Sequence, residues 1–266
     1  MTSPGVKSAE QIELIRHASR IVSGVLETLS ECVTEGMTTQ KMDARAEEYI
    51  RDHGAEPAFK GYVVQGEEYP ATLCTSVNSA VVHGLPDHRP LVEGDIVSLD
   101  VGVRYNGYFG DSAATYAVGE ISDEGRRLME VTEEALWLGI EQAIEGNRVY
   151  DISRAVQRHV ESHGFSVVRE LVGHGIGSKL HEEPSIPNFV PSPFARHQFR
   201  NTQLIDGMTI CIEPMVNAGG HRVITLDDRW TVATADGRPS AHYEHTVVIR
   251  PDKAEVLTSW PSPNHA

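Results

Sequence analysis

The chain has 266 residues, of which 40% are hydrophobic, and it carries a formal net charge of −15 at pH 7. This length suits one large domain or two small ones, and the acidic balance argues against a general nucleic-acid binder. A negative protein does suit a substrate whose reacting end is an ammonium group, such as a peptide N-terminus. The sequence shows neither a signal-peptide pattern nor an apolar run of the ~20 residues needed to span a membrane. The three cysteines, at 32, 74 and 211, are widely spaced. We therefore expect a cytoplasmic protein with reduced thiols.

Four helices are predicted, arranged as two pairs. A capping-box pattern at Ser8 and Gln11 opens the first helix, and apolar residues follow at helical spacing. Each pair closes its first helix with a Glu-Gly dipeptide and its second with a His-Gly dipeptide, since glycine readily adopts the conformation that ends helices. The predicted helices run from Ser8 to Glu35-Gly36, from about Thr39 to His53-Gly54, from about Asp123 to Glu145-Gly146, and from about Asp151 to His163-Gly164.

Strand-like segments follow each helix pair and lead to acidic residues at matching intervals. A strand after Gly94 leads to Asp100 in the first half, and a strand after Gly207 leads to Glu213 in the second. The next strand of each half carries a second acid, at positions 111 and 244. This correspondence indicates an internal duplication.

The duplication predicts an α+β fold with two pseudo-symmetric halves, approximately 8–120 and 121–250. The halves would join in a single catalytic domain over 1–266, with a short C-terminal tail over 251–266. Their strands would form one curved, mainly antiparallel sheet covered by the helices on its outer face. The four acids would then converge on the inner face.

Asp100 and Asp111 flank an Asn106-Gly107 dipeptide, and Asn-Gly between strand-like runs is a strong hairpin signal. With these two residues as the loop, Gly102 lies opposite Asp111, and Asp100 shares that face of the hairpin. Like charges held this close are costly unless a cation or a proton lies between them. A metal site is therefore the first hypothesis.

Four carboxylates and one histidine form the candidate ligand set, namely Asp100, Asp111, His174, Glu213 and Glu244. Two divalent ions would neutralise the four carboxylates, and such sites hold their ions ~3.5–4 Å apart. A single imidazole among carboxylates favours Mn, Fe, Co or Zn over Mg or Ca. Each of these residues taken alone is more often structural, but the hairpin and the repeat make the combination far stronger.

An ordered set of short motifs resembles the type I methionine aminopeptidases over residues 8–250. The motifs are Val-Val-His83-Gly, Leu-Asp100-Val-Gly, Gly-Asp111, Gly-His174-Gly-Ile-Gly, His181-Glu-Glu-Pro, Ile-Glu213-Pro-Met and Tyr-Glu244-His-Thr. The resemblance implies the pita-bread fold. It also implies removal of the initiator methionine from nascent polypeptides by a water molecule activated between two metal ions.

The resemblance further implies a role for each ligand: Asp100 binds one metal, His174 and Glu213 bind the other, and Asp111 and Glu244 bridge the pair. Glu213 is also a plausible proton shuttle. His83 is expected near the scissile amide nitrogen, and His181 near the carbonyl oxygen. Taken alone, each of these two histidines is more often structural.

The resemblance implies an apolar pocket for the methionine side chain at Tyr62, Tyr69, Cys74 and Trp230, with Phe59 and Leu180 at the rim. By side-chain type alone, all six are more often core residues. Phe59 and Leu180 differ from the usual residues, the stretch between Tyr62 and Tyr69 is lengthened, and the loop over 184–201 is longer than in compact bacterial members. Changes of this size shift side-chain preference by ~1–3 kcal/mol. These departures bear on the strictness of the methionine preference and not on metallopeptidase activity.

The expected partners are the N-termini of nascent peptides, met close to the ribosome, and we expect a monomer that binds neither nucleic acid nor membrane. Two alternative functions stay open at this point, beside a third possibility, that the carboxylates are structural and bind no metal. One is an Xaa-Pro peptidase of the same fold, although those relatives usually carry a separate N-terminal domain. The other is a non-catalytic binding protein, which would be expected to lose metal ligands.

Overall fold

The structure is a computed structural model that describes residues 5–64, 66–192 and 198–261. Its helices are α1 (Ala9–Ser30), α2 (Thr39–Asp52), α3 (Asp123–Glu141) and α4 (Val149–Ser162). Its strands are β1 (Glu56–Pro57), β2 (Val63–Val64), β3 (Glu67–Glu68), β4 (Leu73–Val77), β5 (Ala80–Val82), β6 (Ile96–Tyr105), β7 (Tyr108–Ala117), β8 (Ser166–Val167), β9 (Gly173–Gly175), β10 (Glu182–Ile186), β11 (Thr209–Ile212), β12 (Met215–Asn217), β13 (Val223–Thr225), β14 (Val232–Thr234), β15 (Ser240–His242), β16 (Glu244–Val248) and β17 (Glu255–Val256).

The main sheet has the strand order β1-β6-β7-β16-β11-β9-β10, with β4 also paired to β6 and β17 to β16. All of the strand pairs described in it are antiparallel. Strands of the first half meet strands of the second half where β7 pairs with β16. The predicted α+β class with a mainly antiparallel sheet is confirmed.

Alternation along β6 separates the core from the site. Leu99, Val101 and Val103 point to one face and are fully buried in the main hydrophobic cluster, which also contains Val22 and Leu26 of α1. Burial of each such side chain stabilises the fold by about 1.5–3 kcal/mol. Because side chains alternate along a strand, Asp100 points to the opposite face, away from the helices.

The Asn106-Gly107 hairpin is confirmed, including its register. Tyr105 pairs with Tyr108, and Gly102 pairs with Asp111. Both loop residues have positive φ, 47° and 82°, as a two-residue loop of this type requires. Local turn chemistry was therefore sufficient to set the register of this hairpin.

Two of the predicted helix ends are wrong, and they fail in the same way. Helix α1 ends at Ser30 and α3 at Glu141, well before the Glu-Gly dipeptides. Gly36 and Gly146 instead lie in turns, where their N–H groups donate to the carbonyls of Leu91 and Leu204 at 2.8 and 3.0 Å. The dipeptides correctly predicted glycines in the left-handed conformation, but these glycines do not end the helices. Their N–H groups bond to carbonyls that are distant in the chain instead of to the last turn of a helix.

The predicted C-terminal tail is partly integrated into the sheet. Strand β17 pairs with β16, and the Trp260 ring stacks on His245 with centroids 4.6 Å apart. The remainder of the tail, 262–266, lies outside the described residues, as do 193–197 of the long loop over 184–201. None of the helices in the described ranges is long and apolar enough to cross a membrane.

Candidate active site

Three neighbouring strands place two of the acids on one face of the sheet. Ala113 on β7 pairs with Asp100 on β6 and with Glu244 on β16. Directly paired residues point to the same face, so the two carboxylates flank the small alanine side chain. Asp111 lies two residues before Ala113 and shares that face. The alternation therefore brings three carboxylates together.

The position of Asp111 is fixed by a hydroxyl group from the other half of the chain. The Asp111 N–H donates to Thr246 Oγ1 at 3.2 Å, and the Thr246 hydroxyl donates to the Asp111 carbonyl at 2.8 Å. The β7–β16 ladder itself includes only two residue pairs. The threonine therefore extends the contact between the two strands to Asp111.

His174 reaches the acids from β9, where the flanking glycines permit a close approach of the backbone. A Cβ atom at Gly173 would lie 2.5 Å from the Cys211 carbonyl oxygen, and one at Gly175 would lie 2.4 Å from the Glu183 carbonyl oxygen. His174 Nδ1 donates to the Gly175 carbonyl at 2.9 Å. Burial lowers the pKa of His174 to about 3, so Nε2 is an unprotonated donor atom for a metal.

The Nε2 atom of His174 lies between two carboxylates. It is 3.6 Å from Glu213 Oε1 and 4.0 Å from Asp111 Oδ2. Candidate ligand atoms of Asp111, His174, Cys211 and Glu244 all lie within 4.8 Å of one another. The five predicted ligands also line a single cavity, which opens to solvent. The structure therefore brings together all five.

The electrostatics of this cluster favour a cation. Asp100 Oδ1, Asp111 Oδ1 and Glu244 Oε1 are buried and have no hydrogen-bond partner among the described residues. Burial raises the pKa of Asp100 to about 8. Burial, and then the neighbouring carboxylates, raise the pKa values of Asp111, Glu213 and Glu244. Unpaired buried acceptors are expensive, and hard divalent cations are the groups that such a donor set satisfies.

His83 follows β5 in the left-handed region, with φ at 59°, which is uncommon for a non-glycine residue. The next residue, Gly84, has no Cβ atom, and this path of the backbone requires that, because a Cβ atom there would lie 2.2 Å from the Thr75 carbonyl oxygen. Burial, and then the proximity of His181, lower the pKa of His83 to about 4. The imidazole is therefore neutral at neutral pH and can donate one N–H.

His181 lies at the open end of the same cavity. Its Nδ1 is 2.8 Å from the Tyr62 hydroxyl, and its ring meets the ring of His174 at a centroid separation of 4.3 Å. His83, His181 and the acids line one cavity. The structure thus places the two predicted histidines beside the ligand cluster.

All six predicted pocket residues line this cavity, namely Phe59, Tyr62, Tyr69, Cys74, Leu180 and Trp230. Tyr69 meets Trp230 edge to face, with centroids 5.0 Å apart. Phe59 and Leu180, expected at the rim, are buried in a cluster with Tyr69 and Cys74. The arrangement forms an apolar chamber directly beside the acids.

Several residues near the site were missed by the sequence analysis, among them Val64, Cys211 and His242. Val64, in the lengthened stretch, lines the cavity from β2. The Cys211 thiol lies 3.5 Å from Thr246 Oγ1 among the ligands, and burial keeps its pKa well above the usual value. His242 is 2% exposed and lies close to Glu213. Cys211 and His242 each lie two residues before a predicted ligand, Glu213 or Glu244. Because side chains alternate between the faces of a strand, this spacing would have placed both on the face that carries the site.

Comparison with known proteins agrees with this geometry. Residues 13–251 match the pattern of metallopeptidase family M24. The chain is 50% identical over 253 residues to a methionine aminopeptidase of Clostridium perfringens, a match that covers 95% of this chain and 98% of that protein. It is 46% identical over 252 residues to methionine aminopeptidase 1 of Bacillus subtilis, with 95% and 98% covered.

The same likeness extends to three dimensions. The crystal structure of a methionine aminopeptidase from Thermotoga maritima superimposes with a TM-score of 0.90 at 40% identity, covering 97% of this chain and 100% of that one. Both the family pattern and the relatives span nearly the full length. The chain therefore belongs to metallopeptidase family M24.

Proposed function

We propose that this chain is a type I methionine aminopeptidase that removes the initiator methionine from polypeptides, with Asp100, Asp111, His174, Glu213 and Glu244 as the ligands of two divalent metal ions. The observation that carries the proposal is the cluster of buried carboxylate oxygens, without hydrogen-bond partners in the described part of the chain, beside an apolar chamber. Two divalent cations would match the charge of the four carboxylates. Mn, Fe, Co or Zn suit a donor set that includes one imidazole.

The metal ions would supply Lewis-acid polarisation of the scissile carbonyl and would lower the pKa of a nucleophilic water molecule. Asp100 would hold one ion and His174 would hold the other together with Glu213, and Asp111 and Glu244 would be ligands of both. Glu213 is suited to accept the proton of the attacking water, because it is the most accessible of these acids, with 13% of its side chain exposed. It could then pass that proton to the leaving amine.

His83 and His181 would contact the two ends of the scissile amide. His83 is a neutral imidazole that can donate an N–H hydrogen bond near the amide nitrogen. His181, oriented by the Tyr62 hydroxyl, would stabilise the charge that develops on the carbonyl oxygen. The chamber around Tyr69 and Trp230 would hold the methionine side chain.

The wider setting is also part of the proposal. A chain that removes initiator methionine acts on the N-termini of nascent peptides, and we expect it to do so in the cytoplasm, near the ribosome, as a monomer. The net charge of −15 supports the binding of a cationic N-terminus rather than of nucleic acid.

Initial rates on Met-Ala-Ser peptides with a varied first residue test the proposed function. After loading with Mn, Fe, Co or Zn, we expect the highest kcat/KM for methionine, because one methylene in an apolar pocket is worth ~1–3 kcal/mol. N-acetylmethionyl peptide serves as the control and should be inert. Faster cleavage of an Xaa-Pro peptide, or of leucine and norleucine peptides, would contradict the assigned substrate.

Replacement of His83 by alanine should lower kcat and kcat/KM together, by roughly 10²-fold, since its contact with the leaving amide forms in the transition state. The metal affinity should stay unchanged. His88→Ala is the matched control, because His88 is exposed on the following loop and should retain full activity. Equal rates for the two variants in steady-state assays would remove His83 from the mechanism.

A further inference from the structure

His242 differs from His174 and His245 in the hydrogen bonding of its ring within the described structure. His174 is bonded through Nδ1 to Gly175, and Nδ1 of His245 is 2.8 Å from the Thr258 hydroxyl. Neither ring nitrogen of His242 has a hydrogen-bond partner among the described residues, although the residue is only 2% exposed. An orphaned buried polar group of this kind calls for an explanation.

The backbone of His242 is firmly held. Its N–H donates to Thr115 Oγ1 at 3.0 Å, and the Thr115 hydroxyl donates to its carbonyl at 2.7 Å. His242 also pairs with Met215 on β12. The ring is therefore presented to the site from a rigid strand rather than from a loop.

The ring is directed towards Glu213. His242 Nε2 lies 3.9 Å from Glu213 Oε2, while Glu213 Oε1 lies 3.6 Å from His174 Nε2. Each carboxylate oxygen thus faces a different imidazole. This distance is about 0.7 Å longer than the ~3.2 Å limit of an N–H···O hydrogen bond, and a small rotation of either side chain would close the gap.

We propose that His242 is a positioning residue for Glu213, with its Nε2–H donating to Oε2 so that Oε1 is held on the His174 side. The inference rests on the proposed function, in which Glu213 is both a metal ligand and a proton acceptor. Hydrogen bonds to a ligating carboxylate fix its orientation and raise metal affinity. His242 does not line the cavity, so it would act only through Glu213.

Cobalt binding by the full chain tests this role without relying on activity. In His242→Leu, calorimetric titration of the metal-free protein with Co²⁺ should show ~10–100-fold weaker binding, with altered visible absorption bands. In His242→Gln, which keeps an N–H donor, affinity should return to within roughly threefold of wild type. Tyr116→Phe is the matched control, because Tyr116 carries a buried hydroxyl that also lacks a partner among the described residues.

Tyr116 points to the helix-facing side of β7, opposite to Asp111, so its variant should bind cobalt normally. If the leucine variant does not fold, His242→Asn replaces it, since the asparagine side chain is too short for its N–H donor to reach Glu213. If His242→Leu or His242→Asn bound cobalt with the affinity and spectrum of wild type, the inference about His242 would be wrong while the proposed function would stand. The same holds if His242→Gln bound cobalt as weakly as His242→Leu. A wild-type protein that bound no cobalt would overturn the proposed function as well.

Discussion

Removal of the divalent metals by chelation is expected to abolish peptide hydrolysis and to lower the melting temperature, most strongly at neutral and alkaline pH. Metal at 100 times its Kd stabilises a fold by about 2.7 kcal/mol. For a protein of this size that corresponds to roughly 5–11 °C in melting temperature. Readdition of Mn²⁺ or Co²⁺ should restore both properties.

The pH dependence follows from the carboxylates. In the metal-free fold burial raises the pKa of Asp100, and burial together with the repulsion of neighbouring carboxylates raises the pKa values of Asp111, Glu213 and Glu244. Above the ordinary carboxyl pKa of about 4, the folded state therefore binds more protons than the unfolded state. The free energy of unfolding then falls as pH rises through the raised values. Bound cations compensate the ionised carboxylates, so the loaded protein should lack this decline.

Melting curves with and without chelator, recorded from pH 5 to pH 8, measure this decline in stability. These pH values lie within the range over which the carboxylates titrate. Asp111→Asn should show a smaller metal-induced shift than wild type. Asp252→Asn makes the same chemical change at an exposed position of the C-terminal tail and should match wild type. Identical melting curves with and without chelator at every pH would contradict the metal centre.

Glu213→Gln should lower kcat by roughly 10²–10⁴-fold at saturating metal, because the amide keeps the shape of the side chain but cannot accept a proton. KM should change little. Glu213 is the acid placed between His174 and His242, at 3.6 and 3.9 Å. Loss of the Glu213 carboxylate should therefore slow proton transfer in addition to weakening metal binding.

Metal content measured alongside the rates separates the two roles of Glu213. A variant with full metal occupancy and a low rate identifies a proton acceptor, whereas a rate restored by excess metal identifies a ligand only. Glu183→Gln is the matched control, since Glu183 is exposed near the cavity mouth. A Glu213→Gln enzyme within a few-fold of wild type would exclude the assigned role in proton transfer.

The internal duplication over 8–120 and 121–250, within a single domain, stays a prediction. Two observations support it. The hairpin β6–β7 and the pair β11–β16 lie side by side in the main sheet. The two Glu-Gly dipeptides make corresponding backbone hydrogen bonds, to Leu91 and to Leu204. The same correspondence explains why both dipeptides misled the prediction of helix ends.

The sequence by itself determined the features that depend on short-range geometry. The Asn106-Gly107 loop fixed the register of β6 and β7, and the two-residue period of a strand then placed Asp100 and Asp111 on one face. The His-Gly ends of α2 and α4 were correct because capping is local. The five proposed ligands were identified from strand acids, matching intervals and a family resemblance.

Only the tertiary structure decided which other side chains share the site. Thr246 braces Asp111 across 135 positions of the chain, and Thr115 holds the backbone of His242 across 127 positions. Cys211 reaches the acids through the pairing of its strand with β16. Such pairings depend on the joint packing of both halves, which no local pattern encodes. Alternation predicts the face on which a residue lies, but not the neighbour it meets there. The contacts made across strands therefore distinguish His242, whose buried ring nitrogens have no hydrogen-bond partner among the described residues, from an ordinary core histidine.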